Sequence, residues 1–206
     1  MLHITLESFD NEEDFVMAIN EITNINDSFK TNVNEITVEI INENEDSIIK
    51  KGVWVMYEFK NFDYLTDEEI DLIIEVKAPA YEPKRYLPAY KYQVRLHNDD
   101  VSIGKIDLRI GYNKNTYYGG NIGYEIEELY RGNHYAAKAC RLIKQIALAH
   151  EMDRIIITCN PYNIASRKTC EYVGARLVGI AQLPPDNEMY QLGDRQKCRY
   201  EWVCSF

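Results

Sequence analysis

Alternation of apolar and polar residues predicts a series of β-strands in the middle of the chain. The alternation runs through residues 53–59, then through 90–97 and 102–110. Turn-forming residues at 98–100 predict that the last two of these strands form a hairpin. A further strand is predicted at 121–127. The central part of the chain is therefore predicted to contribute consecutive strands to a sheet.

Local signals predict a helix and two loops between these strands. Residues 66–69, Thr-Asp-Glu-Glu, have the form of a capping box and precede Ile70, Ile73 and Ile74, which predicts that a helix starts there. Three prolines between residues 79 and 88 predict an irregular connection after it. The tyrosine- and glycine-rich residues 115–120 predict another loop.

After residue 130 the pattern alternates between helices and strands. Apolar residues recur at helical spacing between Ala136 and Ala147, which predicts a helix that ends near His150. Three consecutive isoleucines then predict a strand at 154–159 that is buried on both faces.

One more helix and two strands complete the predicted domain. Asn163 is typical of a helix N-cap, and Gly174 occupies the position expected just after a helix that ends at Val173. The last two strands are predicted at 176–183 and 197–204, with a loop that begins Pro-Pro-Asp-Asn between them.

The net charge of −10 is concentrated in the first quarter of the chain. Residues 1–50 contain 12 acidic side chains and two lysines, whereas acidic and basic residues balance in 51–206. Short apolar alternations, and Asp10 as a helix cap, predict an acidic strand–helix–strand elaboration at 1–50 before the main domain at 51–206. The acidic segment is either a solvated surface or a means of attracting a cationic partner. A chain this acidic, without a basic stripe, is not expected to bind nucleic acid.

Composition excludes several classes of protein. With 46% hydrophobic and 12% aromatic residues the chain can bury a core, which argues against overall disorder. It has no apolar run near 18 residues and no N-terminal leader pattern, so neither a membrane span nor export is expected. Its five cysteines include no C-x-x-C pair, which favours reduced thiols in a cytoplasmic protein. The histidines lack metal-ligand spacing, so no metal site is predicted.

A junction between a strand and a helix at residues 123–136 carries the strongest chemical signal. A short turn with small residues leads there directly into a helix, whose first N–H groups have no partner within the helix. Those groups and the helix dipole make an anion site, most often one for phosphate, although tight turns of this kind also occur without a ligand. The glycine patterns of Rossmann and Walker loops are absent.

The segment Arg-Gly-Asn-His-Tyr-Ala at 131–136 resembles the pyrophosphate loop of the GNAT acetyltransferase superfamily, Q/R-x-x-G-x-G/A. Residues 122–126 before it resemble the fourth strand of that family, and 163–174 resemble its second signature, N-x-x-S followed by glycine. The resemblance covers about residues 51–206. It implies an α/β (α+β) fold with a mixed, twisted sheet, splayed between strands 4 and 5 and flanked by helices. It also implies that acetyl-CoA lies in the gap as co-substrate.

The resemblance assigns cofactor contacts to particular residues. The backbone of Tyr124, Glu125 and Ile126 would meet the acetyl group and the pantetheine arm, and Asn163 would meet the pantetheine from the far side. The pyrophosphate would be held by loop residues, which are Arg131, Gly132, Asn133, His134, Tyr135 and Ala136. His134 stands where the family usually has glycine, so a positive φ at that position would strain the backbone.

The implied reaction is direct attack of a primary amine on a thioester, which makes the protein an N-acetyltransferase. Glu125 is the first candidate for the base, with a surface ion pair as the alternative role. Cys170 occupies the position where many relatives carry a tyrosine that protonates the departing thiolate, and we expect the thiol to be dispensable for most of the rate. The missing tyrosine leaves open a non-catalytic sensor or scaffold that binds acyl-CoA.

The acceptor is not readable from the sequence, because loop shape determines it. A polyamine, an aminoglycoside-like sugar, an amino acid and a protein N-terminus all remain open, as does a homodimer. The residues that we expect to border the acceptor pocket are Tyr117, Tyr118, Glu188 and Tyr190.

Overall fold

The computed structural model describes residues 39–41, 47–49 and 57–204. Contacts divide the chain into two compact units, Met1–Glu58 and Phe59–Phe206. In the first unit, strands β1 (Glu39–Ile41) and β2 (Ser47–Ile49) form an antiparallel pair. The helix and first strand predicted within 1–50 lie outside the described residues. So does most of the strand predicted at 53–59, whose described part, residues 57–59, is not a strand.

The second unit is an eight-stranded sheet with α-helices on its faces. Its strands are β3 (Tyr64–Thr66), β4 (Ile70–Ala78), β5 (Ala89–Leu96), β6 (Ser102–Arg109), β7 (Ile122–Ile126), β8 (Arg154–Cys159), β9 (Arg176–Gln182) and β10 (Gln196–Val203). Its α-helices are α1 (Lys114–Gly119), α2 (Tyr135–Ala149), α3 (Ile164–Tyr172) and α4 (Glu188–Gln191). No helix of the described residues is long and apolar enough to cross a membrane.

Strand order shows where the sheet comes apart. The order is β3-β4-β5-β6-β7-β8-β10-β9, and every neighbouring pair is antiparallel except β7 and β8. Those two strands are parallel and share one paired position, Ile122 with Ile157, beyond which they diverge. The expected mixed α/β fold is therefore confirmed, with its splay between β7 and β8, the strands that the resemblance counts as fourth and fifth.

Two segments differ from the sequence prediction. Residues 66–69 do not begin a helix: the Asp67 carboxylate accepts hydrogen bonds from the backbone of Glu69 and Ile70, and Glu68 has a φ of 68°. The capping chemistry thus forms a hairpin turn, since aspartate side chains stabilise turns as well as helix starts. The apolar residues after it form β4, which pairs with β5 and buries Leu72 completely.

Residues 115–120 are the second difference, because they are largely helical rather than a loop. Asn113 caps α1 by accepting from the Thr116 backbone N–H, and the Thr116 hydroxyl accepts from the Asn113 N–H. This reciprocal pair stabilises the first turn of a short helix, although the tyrosines and glycines of the segment have low helix propensity.

The helices and strands predicted after residue 130 are confirmed to within a few residues. Asn163 caps α3 through a 3.0 Å hydrogen bond from the Ser166 N–H. Gly174 follows that helix with a φ of 88°, a conformation that glycine adopts without strain. The buried strand predicted at 154–159 is β8.

The two faces of the sheet have different surroundings. Helix α2 covers one face, which we call the helix-covered face: its C-cap residue His150 lies 2.8 Å from the Tyr90 hydroxyl, measured from Nε2. Tyr124 points to this face as well and contacts Ser166 of α3. Because side chains alternate along a strand, Asp107 and Glu125 point to the opposite face. The sheet therefore separates the helix that begins at the predicted anion site from these two carboxylates.

Asn121 holds the sheet together at the point where the gap begins. Its side chain is fully buried and donates to the carbonyls of Arg109 (3.1 Å) and Gly111 (2.7 Å), while its oxygen accepts from the Ile156 N–H (2.9 Å). One amide thus satisfies a buried N–H on the β8 side and two partly buried carbonyls on the β6 side.

We expect Asn121→Ala to lower the free energy of unfolding by about 3 kcal/mol, because it leaves one buried and two partly buried backbone groups without partners. Urea denaturation measures the change. The control is Asn115→Ala: Asn115 also donates to two backbone carbonyls but is exposed, so its loss should cost less than about 1 kcal/mol. Equal losses in the two variants would contradict the role given to Asn121.

Candidate active site between two diverging strands

The gap exposes backbone groups of β7. The Glu125 carbonyl points toward Gly104 of β6, and the Glu127 N–H donates to the Ile103 carbonyl before β6. Because backbone groups alternate in direction along a strand, those of Tyr124 and Ile126 face β8. The Ile126 carbonyl accepts from Arg131 Nε at 2.9 Å. Among the described residues no strand pairs with these groups beyond Ile122. A ligand in the gap would therefore meet the N–H and C=O of Tyr124 and the N–H of Ile126, whereas the Ile126 carbonyl already accepts from Arg131.

An uncapped helix start lies at the end of the gap. The chain leaves β7 through a short 3-10 turn, Glu128–Tyr130, and enters α2 at Tyr135. His134 occupies the N-cap position, but no side chain forms a cap hydrogen bond there, and the first turn contains no acidic residue. The exposed N–H groups and the helix dipole therefore suit an anion. The residues at 131–136 fit the pyrophosphate expected there.

His134 has the left-handed backbone conformation, with φ 60° and ψ 14°. A side chain in this region costs of order 1 kcal/mol, so the backbone strain expected for a positive φ at His134 is present. The imidazole stacks on Tyr172 of α3 with ring centroids 4.4 Å apart. The guanidinium carbon of Arg141 also lies over the Tyr172 ring, 4.7 Å from its centroid. Sequence reasoning missed Tyr172, because a stack between a loop and a distant helix leaves no periodic signal.

A hydroxyl pair spans the helix-covered side of the gap. Tyr124 of β7 reaches Ser166 of α3, with 2.7 Å between the phenol oxygen and Oγ. Burial raises the pKa of the Tyr124 phenol, an effect that the Ser166 hydrogen bond opposes. Asn163, whose side chain caps α3, is itself exposed at the same end of the helix. The phenol thus stays protonated near neutral pH and can donate a hydrogen bond.

Cys170 lies beneath this pair and is completely buried. A hydrogen bond with Cys159 and burial both raise the pKa of the Cys170 thiol, since each favours its neutral form. The other four cysteines are also buried and unpaired. Cys170 therefore has the environment of a packing residue.

The opposite face of the sheet presents two carboxylates beside the gap. Glu125 is exposed and pairs in register with Lys105, which also contacts Glu75 at 3.3 Å. Asp107 pairs in register with Gly123, and its Oδ1 would lie 2.6 Å from a Cβ placed on that glycine. The Asp107 carboxylate thus lies over the backbone of β7 at the first residue of the gap, which only glycine permits.

Burial raises the pKa of Asp107, and the positive charges of Arg109 and Lys91 oppose that shift. Arg109 Nη2 lies 3.0 Å from Asp107 Oδ2. Sequence reasoning missed Asp107, because it occupies an ordinary polar position in an alternating strand and only strand pairing brings it to the gap.

Aromatic and loop residues border the same face beyond β8. Tyr117 of α1 stacks on Arg199 of β10, with 4.0 Å from the guanidinium carbon to the ring centroid, and also packs edge-on against Tyr118. Lys114 of α1 approaches Asp186 in the loop between β9 and β10 at 3.5 Å. The expected acceptor-side tyrosines of α1 are thus next to a loop that can help to enclose a substrate. Within residues 57–204, no group of three histidine, cysteine or acidic side chains could hold a metal ion.

Comparison with known proteins identifies a family for this arrangement. The model of the acetyltransferase (GNAT) domain matches residues 48–176. The chain is similar to an uncharacterized N-acetyltransferase, YnaD, of Bacillus subtilis (strain 168), with 28% identity over 148 residues, which are 65% of this chain and 85% of that protein.

Two solved structures illustrate the structural likeness. A probable acetyltransferase (GNAT family) from Chromobacterium violaceum ATCC 12472 superposes with a TM-score of 0.52 and 12% identity over 73% of this chain and 91% of that one. The microcin C7 self-immunity acetyltransferase MccE, in complex with acetyl-CoA and AMP, has a TM-score of 0.45 and 20% identity over 56% of this chain and 61% of its own length. At 12% identity the likeness to the Chromobacterium violaceum protein shows the fold alone. Since the family match spans more than half of the sequence, this chain belongs to the GNAT acetyltransferase family and is an acyltransferase.

Proposed function

We propose that the protein transfers an acetyl group from acetyl-CoA to a primary amine by direct attack. The observation that carries the proposal is the uncapped N-terminus of α2 at the end of a gap whose backbone is unpaired on the β7 side. The helix start offers N–H groups to a pyrophosphate, and the strand offers N–H and C=O groups to an extended amide chain. Acetyl-CoA carries both, and it supplies the thioester.

We assign the cofactor contacts to the residues at 131–136, to the β7 backbone and to the start of α3. The N–H groups of Gly132 through Ala136 would hold the phosphates. Tyr124 and Ile126 would bind the pantetheine through the backbone, and Asn163 would meet it from α3. Glu125 contributes by side chain instead, since its carbonyl points to β6.

The acceptor is then left with the opposite face of the sheet. Helix α2 starts from the helix-covered face, so a cofactor held there fills that side of the gap. An amine can approach the thioester from the other face, where Glu125 and Asp107 border the gap. Carboxylates at this position would attract an ammonium group and accept its proton.

The amine proton is the larger of the two proton problems in this reaction. An alkylammonium of pKa about 10.4 costs about 4.6 kcal/mol to deprotonate at pH 7, whereas an ordinary thiolate of pKa about 8.5 costs about 2 kcal/mol to release unprotonated. We assign the base to Glu125, with Asp107 as the neighbouring carboxylate. The Tyr124 phenol, next to Ser166, is better placed than the buried Cys170 thiol to donate to sulfur. A homodimer stays a prediction.

Acetyl-CoA should stabilise the protein against heat. At 100 times its dissociation constant a ligand adds about 2.7 kcal/mol, which raises the Tm measured by scanning fluorimetry. Ala136→Glu should abolish the shift, because it puts a carboxylate against the phosphates at the helix start. The control Ala80→Glu changes an exposed residue of the β4–β5 connection and should keep the shift. No shift in the wild type at millimolar acetyl-CoA would remove the cofactor assignment.

Removal of the base should slow the reaction more than removal of the thiol. We expect Glu125→Gln to lower kcat about 100-fold or more and Cys170→Ala to lower it less than about tenfold, in steady-state assays of CoA release with an amine acceptor. Glu127→Gln, an exposed charge just after β7, serves as the control and should be neutral. A large loss in Asp107→Asn with little in Glu125→Gln would transfer the base to Asp107. A large loss in Cys170→Ala alone would make the thiol the proton donor.

A further inference from the structure

Arg199 lies on the far side of the gap from Asp107, at the same level of the sheet. Strand pairing places Arg199 opposite Thr158 of β8 on one side and Gly179 of β9 on the other. Thr158 is the first residue of β8 beyond the single position where β7 and β8 pair, just as Gly123 is the first beyond it on β7. Thr158 and Gly123 therefore face each other across the opening, with Arg199 next to the former and Asp107 next to the latter.

The Arg199 side chain points to the same face of the sheet as Asp107. Its neighbours along the strand, Cys198 and Tyr200, are buried, and the Tyr200 hydroxyl meets Arg167 of α3 on the helix-covered face. Arg199 alternates with them and stacks on Tyr117 of α1. A Cβ added to Gly179, its partner in β9, would meet no atom within 4 Å, so there is open space beside the guanidinium.

The guanidinium of Arg199 has no acceptor in the part of the chain that the structure describes. Its Nε is buried and without a hydrogen-bond partner. Three other half-buried arginines all donate to an oxygen or pair with a carboxylate. They are Arg95 with Gln93 and Asp100, Arg109 with Gly120 and Asp107, and Arg167 with Tyr200 and Pro161.

An unpaired, partly buried cation is costly, because burial removes water without supplying a compensating charge. Folded proteins rarely leave buried polar atoms unsatisfied, so the unpartnered Nε of Arg199 calls for an explanation. Tyr117 holds the planar guanidinium against the sheet, which fixes its direction before any ligand arrives. A fixed guanidinium recognises carboxylates and phosphates through paired hydrogen bonds.

We propose that Arg199 binds an anionic group of the acceptor, so that the substrate is an amine which also carries a carboxylate or a phosphate. This inference rests on the proposed function. The ammonium end would lie toward Asp107 and Glu125, and the anionic end toward Arg199 across the gap. The proposal separates the acceptor classes: amino acids, peptides with a nearby carboxylate and phosphorylated amines fit both sides, whereas polyamines and aminoglycosides bring only positive charge to an arginine that lacks a counter-ion.

Matched pairs of acceptors test this directly. Each pair consists of an amine with an anionic group and the same amine with that group neutralised: amino acids against their amides, short peptides against their C-terminal amides, and amino-sugar phosphates against the free amino sugars. Spermidine represents the polycations. The measurement is kcat/KM for CoA release at saturating acetyl-CoA. We expect the anionic member of the best pair to be about 100-fold better, and the pair in which this occurs distinguishes a carboxylate from a phosphate.

Variants locate the effect at the guanidinium. Arg199→Met should reduce the preference for the anionic member, measured as the ratio of the two kcat/KM values, to within about threefold. Arg199→Lys should lower the same ratio about tenfold, because lysine keeps the charge without the planar fork. Arg195→Met is the matched control and should keep the preference for the anionic member. Arg195 also stacks on a tyrosine, 4.1 Å from the Tyr190 ring centroid, but it is exposed and already donates to a backbone carbonyl.

A stability measurement separates ligand binding from a structural role. If Arg199 is held ready for a ligand, Arg199→Met should leave the Tm of the free protein unchanged or higher, because it removes an unpaired charge from a partly buried site. A structural arginine would lower the Tm on removal. Binding of acetyl-CoA, followed through the Tm shift, should be the same in Arg199→Met and wild type.

Several results would overturn the proposal. The assigned contact is excluded if the neutral amine or spermidine has a kcat/KM equal to that of the anionic member. It is also excluded if the preference for the anionic member survives in Arg199→Met. Loss of acetyl-CoA binding in Arg199→Met would assign the guanidinium to the cofactor instead. If acetyl-CoA binds but no amine is acetylated, the proposed function fails. The anion site at Arg199 is then tested by inorganic phosphate, which should raise the Tm of the CoA-saturated wild type and not that of CoA-saturated Arg199→Met. If phosphate has no such effect, the anion site fails as well.

Discussion

The candidate site depends on one constraint: β7 and β8 pair with each other at a single residue position. Two parallel strands that meet at Ile122 and Ile157 and then diverge leave backbone groups without partners in the middle of a sheet. Such groups are costly unless something else satisfies them. Asn121 satisfies those at the closed end, where its buried side chain bridges β6 and β8. At the open end they remain for a ligand, which makes the gap a cleft with a defined direction.

The chemistry on the two faces follows from that geometry. Helix α2 starts beside the open end without a capping side chain, so its positive end meets whatever occupies the gap on the helix-covered face. The opposite face carries Asp107 and Glu125 on the β7 side and Arg199 on the β8 side. The arrangement separates the face on which we propose that the cofactor phosphates bind from a face with charges of both signs. An acceptor with both an ammonium and an anionic group would complement the latter.

Strain and burial distinguish the residues that depart from the family pattern. His134 has the left-handed conformation although it is not glycine, and its ring stacks on Tyr172, which partly offsets the backbone cost. Cys170, where the sequence resemblance expects a tyrosine, is buried and hydrogen-bonded to Cys159, whereas the hydroxyls of Tyr124 and Ser166 lie 2.7 Å apart. The proton donor in this chain would then come from β7 and α3 together.

Local sequence determined the elements after residue 130, and with them the helix start at which we propose an anion site, because helix spacing, N-caps and a continuous apolar strand are all encoded by neighbours in the chain. It failed at residues 66–69, where the same aspartate chemistry serves a helix start or a hairpin turn, and only pairing of β4 with β5 decides between them. The acceptor side was decided by tertiary structure alone. Asp107 and Arg199 are ordinary members of alternating strands. They lie on opposite sides of the gap only because strand order places β6 next to β7 and β10 next to β8.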